Sequence, residues 1–211
     1  MAAVFERVCS HWRREDWFCI GCSTPLGYLN LLLQITYRAI IEAVIHDLIQ
    51  IRRLGEQKRP ENERFRKHLK SHGYQELKFR RIAEAIELET DCTVCANCCR
   101  QASVQVLDRD ITKLAKYLRV KDSQFRQDYT QPGEDGLDLK RNADGSCVFL
   151  SGNECTVYDA RPSICSDFPH LVRGKGTIPF RMWQFIDRAC YCPIVYNALE
   201  AYKDESGFRR G

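Results

Sequence analysis

Histidine is scarce in this chain, with five among 211 residues and none woven into its cysteine motifs. A catalytic zinc keeps an open coordination position and draws mainly on histidine or carboxylate ligands, so the scarcity weighs against hydrolytic zinc chemistry. No G-x-G-x-x-G follows a strand-like run, and no Ser/His/Asp or paired-carboxylate signature stands out, which weighs against a dinucleotide-dependent or triad enzyme. Charge of one sign is also lacking. The net charge of +4 and pI of 8.4 fall short of a nucleic-acid-binding footprint, and no nucleic acid is expected. No internal repeat or low-complexity segment appears. Residues 1–17 (MAAVFERVCSHWRREDW) lack the basic-then-apolar order of a secretory signal, and Glu6, Glu15 and Asp16 oppose a transit peptide. The expectation is a cytoplasmic, reducing setting, where thiols bind metal in preference to forming disulfides.

What the chain does have is cysteine, twelve in all. Four of them crowd into Cys92-Thr-Val-Cys95-Ala-Asn-Cys98-Cys99, and Cys147, Cys155, Cys165, Cys190 and Cys192 follow. A C-x2-C step is just long enough to aim two thiolates at one ion, a spacing that core-filling cysteines have no reason to keep. Adjacent side chains diverge along a backbone, so Cys98 and Cys99 either serve two different centres or one binds while the other stays free. Eight cysteines (92, 95, 98, 99, 147, 155, 165 and 192) divide into two four-thiolate sets. Their charge, set against two dications, brings the +4 chain to neutrality. Arg100 and Arg161 are candidate neighbours of that charge. Cys92-x2-Cys95-x2-Cys98 also reproduces the opening spacings of a bacterial ferredoxin run, which Cys192-Pro193 could complete, although Cys99 interrupts it. Zinc and an iron–sulfur cluster both remain open. Cys19-Ile-Gly-Cys22, with Cys9 and His11 nearby, reads as incidental thiols, and His170 as a loop histidine or an outer-sphere donor.

The one long apolar run is Tyr28–Ile51. Its polar residues Gln34, Arg38, Glu42, His46 and Gln50 recur four apart, on one stripe of a helix. Charges in the middle of a span are expensive in hydrocarbon, so a buried helix is expected, not a membrane span; a helix-mediated oligomer face is the next choice. Glu56–Arg66 reads as a charged connector and Tyr74–Leu88 as an amphipathic helix. Beyond the cysteine knot, Ser103–Val106 alternates like a strand, and Asp108 is placed to cap a helix over Asp110–Leu118. Ser123–Tyr129 forms a further helix. Leu137–Lys140, Cys147–Leu150 and Cys155–Tyr158 form strands in turn-rich hairpins, and Pro193 starts a last helix through Tyr202. The fold class is α+β: a mostly helical extension over 1–90, then a cysteine-rich metal-binding domain over 91–211 with short β-hairpins and flanking helices.

Cys92–Cys99, Ser146-Cys-Val-Phe-Leu150 and Cys155-Thr-Val-Tyr158-Asp-Ala-Arg161-Pro162-Ser-Ile-Cys165-Ser-Asp-Phe168-Pro169 together resemble the CxxCxxCC family, the YkgJ-type cysteine-cluster proteins. The resemblance spans about residues 91–195 and implies zinc or iron chelation. The family commonly carries a further cysteine near its C-terminus, and Cys192-Pro193 is similar to it, with Cys190 as the substitute. A flagellin lysine methylase shares the cysteine pattern, which implies one enzymatic alternative. Three readings follow: a chelating protein that acts through a protein partner, an iron–sulfur electron carrier, and a cluster-dependent enzyme. The metal ligands expected are Cys92, Cys95, Cys98, Cys99, Cys147, Cys155, Cys165 and Cys192.

Overall fold

The computed structural model describes Arg38, Ile40, residues 42–173 and residues 176–210. Most of Tyr28–Ile51 lies outside these, as do Cys9, His11, Cys19 and Cys22. The part of that run which is described does not continue as helix. Ala43 turns, residues 44–47 are irregular, and Asp47 restarts the chain as α1 (Leu48–Gln57) by accepting the Gln50 N–H at 2.6 Å. A tertiary clamp holds the break open: Ile45 N–H donates to Asn197 Oδ1 at 3.0 Å, and Asn197 Nδ2 donates to Ile45 O at 2.8 Å. These bonds take a backbone amide and carbonyl that a continuous helix would use itself.

The segment expected as a charged connector is helical as well. Lys58 closes α1, and α2 (Arg59–His72) follows with Pro60 in its first turn, where a missing N–H costs nothing. After Gly73 comes α3 (Glu76–Glu89), close to the expected amphipathic segment. These helices pack on two from the far end of the chain, α9 (Ile178–Arg188), which was not among the expected helices, and α10 (Pro193–Glu205). The residues from Ile40 onward form one unit. Tyr202 stands at the centre of the helical core, with the rings of Phe79 and Phe65 at 5.1 and 5.8 Å. Ile51, Leu69, Ile82, Met182 and Phe185 are fully buried around it, each contributing about 1.5–3 kcal/mol of burial. Beside this core the Lys203 ammonium, with no exposed surface, holds the Glu61 and Glu200 carboxylates at 2.5 and 2.6 Å. Burial alone would raise Glu200, but hydrogen bonds from Lys203 and Lys58 outweigh it and keep the carboxyl below its ordinary range.

Between the two helical stretches lies the cysteine-bearing part. It holds two one-turn helices, α4 (Cys92–Cys95) and α5 (Asn97–Gln101), then β1 (Gln105–Val106), α6 (Asp108–Leu118) and α7 (Asp122–Tyr129). Asp108 is the first residue of α6 and not its cap. The carboxylate that acts there is Asp110, which accepts the N–H groups of Leu107 at 3.2 Å and Ser163 at 3.1 Å. β2 (Thr130–Gly133) and β3 (Gly136–Leu139) form a hairpin across the 133–136 turn, and β1 adds to β3, giving an antiparallel sheet of order β1-β3-β2. The next hairpin is shorter than expected. Only β4 (Leu150–Ser151) and β5 (Glu154–Cys155) pair, Cys147 makes a lone bridge to Arg141, and Tyr158–Ala160 is a 3-10 turn. Pro162 then precedes α8 (Ser163–Ser166). A second core of Val106, Ile111, Leu114, Phe125, Leu139 and Phe149 holds these pieces, and Cys147, Cys155 and Cys165 sit at its edge. The protein is thus α+β. Among the described residues no helix is long and apolar enough to cross a membrane.

The closest backbone approach in the helical half falls at Gly55. A methyl group there would lie 2.5 Å from Ala189 O and 2.6 Å from Cys190 Cα, both backbone atoms unable to give way. Gly55→Ala is therefore expected to destabilise the protein by about 1–3 kcal/mol, read as a lowered thermal midpoint. A midpoint at the wild-type value would mean that α1 does not rest on the end of α9.

Candidate metal centre

Asp91 begins the site by capping α4, accepting the Thr93 N–H at 2.8 Å and the Thr93 hydroxyl at 2.6 Å. That turn ends at Ala96, whose φ of 45° and ψ of 15° are left-handed. An L-residue pays about 1–2 kcal/mol for this conformation, so the surroundings enforce it. The reversal splits what would have been one helix into α4 and α5. It leaves Cys92, Cys95 and Cys98 lining one small cavity of about 20 Å3. Cys192 joins them from the helical half, and Phe168, Tyr191 and Ile194 complete an apolar wall. Asn97 fixes this junction by donating Nδ2–H to Tyr191 O at 2.7 Å.

Cys99, the next residue along α5, belongs with a different set. Cys147 N–H donates to Cys99 O at 2.8 Å, which brings the β4–β5 hairpin onto the knot. Cys99 interacts electrostatically with Cys147, Cys155 and Cys165, and Cys165 does so with the other three. Cys92, Cys95, Cys98 and Cys192 thus share one cavity, a first quartet, while the charges of Cys99, Cys147, Cys155 and Cys165 act on one another, a second quartet, the two meeting at the adjacent pair Cys98 and Cys99. Among the described residues no three His, Cys, Asp or Glu side chains already converge on a single ion position. Closing on an ion would require the thiols to turn further inward.

Electrostatics favour a cation between them. Burial pushes Cys192 and Cys165 up to about 12, the first helped by Cys92 and Cys95 and the second by Cys147, Cys99 and Cys155. Burial likewise raises Cys92, Cys147 and Cys155. Cys92 has an exposed residue surface, yet its thiol faces the cavity. Within the touching pair, the hydrogen bond from Cys98 lowers Cys99, aided by Arg100, Arg161 and Arg141, and Cys98 rises in consequence. Buried thiols that oppose one another's ionisation become thiolates readily only when a metal supplies the opposite charge. In type the donors fit a thiolate-bound metal of the zinc or iron kind.

Other predicted residues fall elsewhere. Cys190 is buried apart from both quartets, with its thiol directed at Ile186 O at 3.6 Å and Glu56 and Arg59 beside it. His170 has a left-handed φ of 66°. Burial, then Arg188, pulls its imidazole down to about 4, so it is neutral at physiological pH, and no cysteine is among its partners. Sequence reasoning missed the frame that holds the knot. Arg100 bonds Gly152 O and Asn153 Oδ1 at 2.7 and 2.6 Å, and Asn153 returns a bond to Val94 O at 2.7 Å. Arg141 reaches Gly145 O, Ala102 O and Arg100 O at 2.5–2.7 Å. The N-A-D-G and S-G-N turns were the only sequence signals of these docking loops.

Residues 91–193 match the model of the CxxCxxCC family, described as a "putative zinc- or iron-chelating domain". No curated protein and no solved structure matches the chain.

The separation of Cys190 from Cys192 can be checked directly. Cys192→Ser should lower metal content per chain, while Cys190→Ser should leave it unchanged by elemental analysis. The reverse result would exchange their roles.

Proposed function

We propose that the chain is a metal-binding protein with two mononuclear tetrathiolate centres, one on Cys92, Cys95, Cys98 and Cys192 and the other on Cys99, Cys147, Cys155 and Cys165. The observation that supports this reading is that Cys92, Cys95, Cys98 and Cys192 line one cavity without Cys99, whose carbonyl instead accepts the Cys147 N–H at 2.8 Å. Four thiolates around each ion leave no open position for substrate, the pattern of structural zinc. The cavity of about 20 Å3 supports a single ion, since a space of that size holds about one water. Such ions would contribute folding free energy directly. They cross-link parts of the chain that secondary structure joins poorly: the first quartet ties the knot to α10, and the second ties it to β5 and α8. In this reading the metal builds a surface, and the activity lies in what that surface binds, a protein partner in a reducing compartment.

One observation favours a second reading. Cys192-Pro193 stands with the Cys92-x2-Cys95-x2-Cys98 run in an apolar pocket, the ligand set of an iron–sulfur centre. A cluster there would make the protein an electron carrier or a cluster-dependent enzyme.

Protein purified without oxygen or an affinity metal tests both. Two zinc ions per colourless chain are expected, falling to one in Cys95→Ser and one in Cys155→Ser, with a lower thermal midpoint in each. Stoichiometric iron with sulfide and a broad brown absorbance would favour the second reading. Wild-type metal content in both variants would refute the ligand assignment.

A further inference from the structure

Away from the cysteine cavity, one stripe of α6 carries charge of a single sign. Arg109, Lys113 and Lys116 recur at helical spacing along its exposed face, with Tyr117 beside them, 46% exposed. The fold brings a fourth cation to the same place. Lys113 Nζ donates to Arg161 O at 3.2 Å, and Arg109 Nη2 donates to Ser163 Oγ at 3.2 Å, so the stripe lies along the segment from Arg161 to Ser163. The Arg161 guanidinium stacks on the Tyr158 ring, 3.6 Å from its centroid, and Tyr158 keeps 48% of its surface exposed.

Like charges three and four residues apart destabilise a helix, and nothing within the protein neutralises these. Among the described residues none of the four cations is in an ion pair. Their acidic neighbours are engaged elsewhere. Asp108 pairs with Arg126 at 2.8 Å, Asp110 is buried and accepts the Leu107 and Ser163 N–H groups, and Asp122 accepts the Thr112 hydroxyl at 2.6 Å. Asp159 is exposed on the 3-10 turn and pairs with none of them. In the helical half, by contrast, Lys58, Lys203 and Arg210 each meet a carboxylate.

The rest of the patch points to the chemistry of its partner. Tyrosine and arginine are enriched where proteins bind proteins, and a guanidinium already stacked on a ring loses little freedom on binding. A membrane surface would call for tryptophan, phenylalanine or leucine among the cations, and the six side chains here include none. The overall charge of +4 is below that of a nucleic-acid-binding surface. We propose that this face, Arg109, Lys113, Lys116 and Arg161 with Tyr117 and Tyr158, docks a carboxylate-rich segment of a protein partner. The proposal rests on the reading that the chain acts through a partner, and it holds whichever metal the cysteines bind.

A fluorescein-labelled peptide of alternating glutamate and alanine is the probe, read by fluorescence anisotropy on the full chain with its metal in place. The wild type should bind it. Arg109→Glu with Lys113→Glu should weaken binding by about 10–100-fold, because reversed charges repel an acidic ligand. Arg64→Glu with Lys67→Glu, at two exposed positions of α2, changes the net charge equally and should leave binding at the wild-type value. No binding to the wild type would overturn the proposal. So would equal losses in the two double variants, since that is the mark of net charge alone. A single-stranded oligonucleotide that displaces the peptide more effectively than unlabelled peptide does would overturn it in favour of nucleic acid. Should the α6 double variant fail to fold, Lys116→Glu takes its place: weakened binding supports the proposal, and unchanged binding refutes it. A wrong metal count on the same wild-type sample would sink the two-centre reading, a separate failure, and the peptide would still decide this one.

Discussion

Two cysteines joined by one peptide bond, Cys98 and Cys99, govern the arrangement of everything around them. Cys98 lines a cavity with Cys92, Cys95 and Cys192, while the carbonyl of Cys99 takes the Cys147 N–H from the hairpin side. A short helix makes this possible, because consecutive side chains leave its axis about 100° apart. That helix exists as a separate piece because Ala96 reverses the backbone just before it. Cys92 and Cys95 lie in the turn just before this hinge, and Cys147, Cys155, Cys165 and Cys192 come from distant parts of the chain. The loops that carry them are short, and much of what pins them is side-chain hydrogen bonding from Arg100, Arg141 and Asn153. Metal ligation would lock a frame that these bonds outline.

The placement of charge follows the same constraint. Buried thiols raise one another, and around them the chain sets arginines rather than lysines. Arginine suits the purpose because its charge is permanent and its planar donors can reach several backbone oxygens at once. Two of the arginines serve as struts. Arg161 instead stacks on Tyr158 with a buried N–H to spare. The helical half is built differently, on aromatic packing about Tyr202 and on the buried Lys203 network, and it contributes Cys192 to the centre.

The sequence made the cysteine centre more legible than the fold that carries it. C-x2-C spacing is a local property, so the knot could be read directly, and the expectation of two sets came from the adjacency of 98 and 99. Which distant cysteine joins which set is a tertiary fact; Cys192 separates from Cys190 only because α10 begins between Tyr191 and Pro193, with Asn97 anchoring that corner. The helices α3, α6 and α10 appeared close to their expected positions. Two of the failures share one cause, tertiary contacts overriding local pattern. Asn197 breaks the apolar run at Ile45, and Pro60 begins a helix where it was read as a connector; α9 was simply not read, although its buried residues Ile178, Met182, Phe185 and Ile186 recur at helical spacing. Ala96 carried no signal at all, since a left-handed alanine cannot be told from a helical one by its letter.

The central claim is that this chain surrounds two ions with four sulfurs each. X-ray absorption at the edge of whatever metal the purified protein holds, combined with its stoichiometry, tests that claim most directly. The account predicts two ions per chain, each with four sulfur neighbours, at about 2.3 Å if the metal is zinc. A first shell dominated by nitrogen and oxygen, or a single ion per chain, would contradict it.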